Sequence, residues 1–191
     1  EGAWESSHTI EDILSFLSGF KHEVFVGVDV AASSFYNKNY LYNTTSKKRE
    51  TQINYINSLI DVFNIFYCED PLEDDDFKGF SKITKEHLVV GDDLTVTHMD
   101  RLKKAVKNKS INAMIIKPNQ NGSLIELKKI INYCKKHKIK TIISHRSGET
   151  MDDALADYAF AFQTDYIKCG IVTPWRDAKL QRLIDIERSL N

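Results

Sequence analysis

Six times along this chain a short β-rich run ends in an ionisable side chain and gives way to a longer segment with helical periodicity. The runs are "VFVGVD" ending at Asp29, "FNIFYCED" with its tip at Glu69, "LVVGDD" with its tip at Asp92, "INAMIIK" ending at Lys117, "IKTIISH" ending at His145 and "AFQTDYIK" ending at Lys168. Several are almost continuously apolar, as strands of a parallel sheet are when helices cover both faces. Between them, residues 52–63 place Ile53, Ile56, Leu59, Ile60 and Phe63 on one stripe, and residues 124–134 do the same with Leu127, Ile130, Ile131 and Cys134. Thr97 with Asp100, and Ser123 with Glu126, stand at capping-box spacing and predict helix starts. Strand–helix alternation leaves two architectures, an open doubly wound sheet or a (β/α)8 barrel. In the open sheet a crevice draws on a few strands, whereas in a barrel every strand's C-terminal end faces one mouth. Polar chemistry at all six tips favours the TIM-type barrel. No glycine-rich phosphate loop follows any run, which weakens the nucleotide-binding alternative. A complete barrel needs eight strands and about 250 residues. The 191 residues therefore read as one partial barrel domain, residues 1–191, with six of the eight strands and no linker or second-domain boundary.

Charge and cysteine content narrow the partners. A formal net charge of −1 supplies no positive excess for nucleic acid or an anionic membrane, and the basic run from Arg101 to Lys109 reads as the solvated face of a helix. Cys68, Cys134 and Cys169 are odd in number and lack ligand spacing, which argues for a reducing compartment, by default the cytoplasm. No apolar stretch approaches the roughly 20 residues of a membrane span, and no signal peptide is visible. There is no initiator Met, so Glu1 need not be the start of the gene product.

The tips fall into two sets. Asp29, Glu69 and Asp92 are three carboxylates on successive strands; brought together they repel one another, and hard oxygen donors of this kind suit an octahedral Mg²⁺. Each has a plain structural reading as well. Asp92 and Asp93 could cap the next helix, and Glu69 could pair with a surface lysine. The acidic run from Glu73 to Asp76 reads as a solvated loop, and His22, His87, His98 and His137 as ordinary surface or core histidines. Lys117, His145 and Lys168 form the second set, with Arg146 beside it. A lysine crowded by like charge sheds its proton more easily, which makes Lys117 the candidate base. Pro118 after it favours the extended geometry of a strand's last residue. The chemistry implied is proton abstraction from a carbon next to a carboxylate, with Mg²⁺ neutralising the anion produced.

Six segments carry a family resemblance: "VGVDVAAS", "CEDPLEDDDF", "VGDDLTVT", "IIKPNQNGS", "SHRSGET" and "YIKCG". In this order and at these intervals they closely resemble the C-terminal barrel of the enolase family, from about residue 1 to the end, with "SHRSGET" and "GDDLTVT" the most specific. A lysine base with Mg²⁺ is the arrangement of that superfamily. The resemblance implies that Asp29, Glu69 and Asp92 hold Mg²⁺ against a substrate carboxylate. It also implies that Lys117 removes the C2 proton of 2-phosphoglycerate, that Lys168 helps bind the carboxylate, that Arg146 and Ser147 grip the phosphate, and that His145 contacts substrate. "EGAW" resembles the family's D-E-G-G-F segment, which would make Glu1 the general acid, although a residue that begins a chain frays and is poorly preorganised.

The departures are equally specific. After Lys168 the chain reads "TPWRDAK", one position shorter than the family's Arg-Ser-Glu-Arg stretch, while Pro118 and Asn121 replace usual apolar residues. The family's N-terminal α+β domain, its first barrel strands and its serine loop have no counterpart here. An open six-strand arc exposes two sheet edges, so association is expected, with a separately encoded or upstream N-terminal half or with further copies of the chain. Two other functions stay open: another superfamily enzyme acting on unphosphorylated carboxylates, and a non-catalytic subunit that keeps the fold.

Overall fold

A computed structural model describes residues 5–20, 24–170 and 173–190. The chain divides into two compact units, residues 6–113 and residues 114–191 with 1–5.

In the first unit, α1 (Ile10–Ser18) starts at Thr9, whose hydroxyl accepts the Asp12 N–H while the Asp12 carboxylate accepts the Thr9 N–H. Next come β1 (Gly27–Asp29), a 3₁₀ turn at Ala32–Phe35, and a small antiparallel sheet of β2 (Tyr36–Asn37), β3 (Asn39–Leu41) and β4 (Ser46–Lys47). Then follow α2 (Arg49–Phe63), β5 (Tyr67–Glu69), α3 (Phe77–Phe80), β6 (Leu88–Gly91) and α4 (Met99–Asn108). β5 pairs in parallel with β1 on one side and β6 on the other. The stripe on α2 buries Ile53, Ile56 and Ile60, with Leu59 and Phe63 half-buried. Each fully buried aliphatic of this kind contributes about 1.5–3 kcal/mol. Gln52 is buried in the same row. Its amide is satisfied by the Tyr42 hydroxyl at 2.8 Å and the Pro71 carbonyl at 3.3 Å.

β7 (Ala113–Ile116) starts on the last residue of the first unit; the second unit holds the rest of it with α5 (Pro118–Asn121), α6 (Leu124–Lys136), β8 (Lys140–Ser144), α7 (Ala154–Phe162), β9 (Tyr166–Lys168) and α8 (Pro174–Leu190). β8 and β9 pair in parallel, and Ile116, Leu127 and Ile131 form a buried cluster against Phe162. On α6 the buried residues are Leu127, Ile130, Ile131 and Cys134, the stripe expected from spacing, and Ser123 caps the helix by accepting the Glu126 N–H.

Several local expectations need correction. α4 begins at Met99 with His98 as its capping residue, so Thr97 lies one position outside; its φ of 51° places it in a left-handed turn. The segment 161–165 is not strand. α7 runs to Phe162 and stops at Gln163, whose φ of 51° breaks the helix before β9. Nor is the acidic run simply solvated: Asp76 caps α3 through the Gly79 N–H at 2.7 Å and holds Arg49 at 2.6 and 2.9 Å. The small sheet β2–β4 was not foreseen, because two- and three-residue strands are too short to show alternation. Among the described residues no helix is long and apolar enough to cross a membrane.

Candidate functional site

Each tip falls at the C-terminal end of its strand. Asp29, Glu69 and Lys168 are last residues of β1, β5 and β9, while Asp92, Lys117 and His145 follow one position after β6, β7 and β8.

In the first unit, parallel register sets Asp29 directly beside Glu69, and Glu69 opposite Val90, two residues before Asp92. The Tyr67 hydroxyl, on the same strand as Glu69, donates to the Glu69 carboxylate. Its pKa is driven far above the usual phenol value, first by burial and then by Glu69, Asp29 and Asp92. Acids from three strands thus act on one hydroxyl. Glu69 and Asp92 are buried, whereas Asp29 is exposed. Carboxylates at neighbouring strand ends supply hard oxygen donors of the kind that a divalent cation such as Mg²⁺ takes.

A fourth acid, Asp70, was missed by sequence reasoning. It is 2% exposed, and it lies with Asp92 and Asp93 in a group in which one carboxylate oxygen from each residue is within 4.8 Å of the others. Its two oxygens accept the Asp92 N–H at 3.0 Å and the Asp93 N–H at 2.6 Å. Burial drives its pKa well above the usual carboxylate value, although those two N–H groups pull the other way. The available signal was the doubled acid in "CEDP", since neighbouring residues at a strand end face opposite ways.

In the second unit the His145 N–H donates to the Lys168 carbonyl at 2.8 Å, continuing the Ser144–Lys168 register and setting the two residues side by side. The His145 ring meets Arg176, whose Nη1 lies against Nδ1. An arginine nitrogen can only donate, so the His145 ring is the acceptor in this contact. Arg176 is 2% exposed and is packed over Gly170, where a Cβ would come within 2.7 Å of its Cδ. The Arg146 guanidinium donates to the Asn119 side chain at 3.1 Å, while its backbone N–H donates to Glu149 at 2.8 Å. So Glu149 anchors the backbone of the "SHRSGET" turn.

Lys179 holds Glu149 in turn. Its ammonium donates to Glu149 at 2.6 Å and to the Thr150 and Trp175 carbonyls at 2.7 and 2.8 Å. The Glu149 pKa is lowered: burial acts to raise it, but the Lys179 bond and the Arg146 N–H outweigh that. Beside this turn lies an open groove of about 380 Å³ bordered by Asn119, Arg146, Thr150 and Tyr158. Ser147 is exposed on the turn, Lys117 and Lys168 are half-buried, and Glu1 lies outside the described residues. Arg176 and Lys179 belong to "TPWRDAK", which sequence reasoning marked only as a departure from the family's Arg-Ser-Glu-Arg stretch without giving either residue a role. Cys68, Cys134 and Cys169 are buried and free, and burial pushes the thiols of Cys68 and Cys134 up to about 12, which removes them as nucleophiles at neutral pH.

The family model described as "Enolase, C-terminal TIM barrel domain" matches residues 4–191. The chain belongs to the enolase family. Its fold is that of the enolase C-terminal barrel domain, represented by six parallel strands. It is 41% identical to an enolase of Picrophilus torridus over 100% of this chain and 51% of that protein. An enolase of Thermoplasma acidophilum is 42% identical over 94% of the chain and 46% of that protein. For an enolase of Methanosphaera stadtmanae the identity is 39%, over 100% of the chain and 50% of that protein. The chain spans about half the length of the enolases it matches.

Proposed function

We propose that this chain carries the catalytic barrel of an enolase, a carbon–oxygen hydro-lyase that interconverts 2-phosphoglycerate and phosphoenolpyruvate with loss or gain of water. The observation that carries the reading is the parallel register that sets Asp29 beside Glu69 and brings Asp92 to the end of the next strand, in a chain of this family. Under this reading the three carboxylates hold Mg²⁺, which supplies positive charge to the substrate carboxylate and makes the neighbouring carbon more acidic. Lys117 accepts the C2 proton. Lys168 pairs with the substrate carboxylate, and His145 contacts the substrate. The Arg146 guanidinium, a planar fork, and the Ser147 hydroxyl grip the phosphate. Glu1 supplies the proton with which the C3 hydroxyl leaves as water. The remainder of the site comes from an N-terminal half, on the same polypeptide or on a separate one, and the completed protein associates into homo-oligomers.

Enol-product absorbance in the completed protein tests the reading. Turnover with 2-phosphoglycerate should need Mg²⁺ and fall at least a hundredfold in Lys117→Ala; full turnover in that variant would remove Lys117 as the base. Turnover only of unphosphorylated carboxylates would assign the chain to another superfamily reaction, and absence of Mg²⁺ uptake by calorimetry would make it a non-catalytic subunit.

A further inference from the structure

We propose that Asp70 is a positioning residue that aims Asp92 by holding the backbone of Asp92 and Asp93 with both carboxylate oxygens. The proposal rests on the reading of Asp92 as a Mg²⁺ ligand. A ligand carboxylate must be held within a fraction of an ångström, and the groups behind it do that holding.

Asp92 is fixed at both ends of its backbone. Its N–H is held by Asp70 Oδ1, and its carbonyl accepts the N–H groups of Thr95 at 3.1 Å and Val96 at 2.7 Å. The next N–H, of Asp93, is taken by Asp70 Oδ2. Asp70 is itself anchored: its N–H donates to the Val90 carbonyl at 3.0 Å, and its own carbonyl accepts the Ala32 N–H at 3.1 Å. One residue thereby joins the turn after β1, the end of β6 and the turn that carries Asp92. Its backbone has φ of 40°, a left-handed conformation that a non-glycine residue keeps only where its surroundings impose it. Val96 and Thr97 are also left-handed, at 42° and 51°, so the turn that follows the segment held by Asp70 is strained as well. Strain of this kind collects where geometry serves function.

Direct ligation by Asp70 is the competing role, since one of its oxygens lies within 4.8 Å of an oxygen of Asp92 and one of Asp93. The distribution of its bonds argues for positioning: each oxygen already carries a backbone N–H. Asp70→Asn separates the two. The amide is isosteric, yet its NH₂ must face one of the two N–H donors. Asp76→Asn is the control, because Asp76 also binds a backbone N–H with its carboxylate, that of Gly79, but serves α3.

Amide hydrogen exchange at Asp92 and Asp93 in the metal-free protein and Mg²⁺ affinity by calorimetry are to be measured in the completed protein. In Asp70→Asn, exchange should speed up at least tenfold and Mg²⁺ should bind about 10- to 100-fold more weakly. Asp76→Asn should lower Tm but leave Mg²⁺ affinity within about twofold. Unchanged exchange in Asp70→Asn overturns positioning. With unchanged exchange, a loss of Mg²⁺ binding as complete as in Asp92→Asn would make Asp70 a ligand instead. If the unsubstituted protein takes up no Mg²⁺, the functional reading fails, and exchange alone then decides whether Asp70 organises the turn. Should Asp70→Asn not fold, scalar couplings across the two hydrogen bonds, from the Asp92 and Asp93 amide nitrogens to the Asp70 carboxyl carbon in the unsubstituted protein, serve instead. Their presence supports the proposal and their absence overturns it.

Discussion

Replacing Lys179 by Met should cost this protein about 3–5 kcal/mol, although the residue lies on α8, a helix rich in charged side chains. Lys179 is 1% exposed, and its ammonium has three acceptors: the Glu149 carboxylate at 2.6 Å and the carbonyls of Thr150 and Trp175. Methionine preserves most of the apolar stem, so little packing is lost. What remains is a largely buried carboxylate, whose side chain is 14% exposed, deprived of its cation. Removing one member of a buried ion pair typically costs about 3–5 kcal/mol, because the surviving charge stays desolvated. For a chain of this size about 2–4 °C of Tm accompany each kcal/mol. Thermal denaturation followed by circular dichroism should therefore show Tm lower by roughly 6–20 °C. Adding Glu149→Gln should restore part of the loss, since an amide tolerates burial without a cation. A drop worth less than about 1 kcal/mol, the size of a solvent-exposed pair, would refute the argument. So would a double variant no more stable than Lys179→Met.

Gly170→Ala should destabilise by about 1–3 kcal/mol in urea denaturation, since Gly170 has φ of 71° and the new Cβ would come within 2.7 Å of Arg176 Cδ. It should also move the His145 ring resonances in NMR, because Arg176 would be displaced from Nδ1; unchanged resonances would contradict the Arg176–His145 contact. Asp165 governs part of the acid limb. Its carboxylate accepts from Lys140 at 2.7 Å and from the Thr141 N–H and hydroxyl at 2.9 and 3.0 Å, and its pKa is lowered although burial alone would raise it. A depressed folded pKa gives stability that is complete above the unfolded value of about 3.9 and is lost as pH falls through the folded one. Asp165→Asn should accordingly lower the urea midpoint at pH 7, with the gap to the unsubstituted protein narrowing below about pH 4. A gap independent of pH would show that the carboxylate's charge contributes nothing.

Much of the architecture was legible because its signals are local. Buried parallel strands are written as apolar runs, and the faces of α2 and α6 follow from a 3.6-residue period, down to the four inward residues of α6. Positions one residue past a strand, such as Asp92, Lys117 and His145, could be found because polar side chains interrupt the apolar run there. The signals failed where a residue's role depends on a distant partner. Asp76 looked like one of four solvated acids until Arg49 and the Gly79 N–H were brought to it. Thr97 has capping-box spacing, yet the left-handed turn at Val96 and Thr97 moves the helix start to Met99. Asp70 is separated from Asp93 by 23 positions, so the doubled acid in "CEDP" could mark the residue but not the partner it binds.

The linear order of residues determined the strand–helix rhythm, the chemical character of each strand tip and membership of the enolase family, since periodicity and motif spacing are properties of neighbours along the chain. Only the tertiary structure decided which charges are buried and what holds them. It assigned Asp70 to backbone amides, Lys179 to Glu149 and Arg176 to His145. Burial and hydrogen bonding depend on groups that meet in space, and the energy of a charge is set by that meeting.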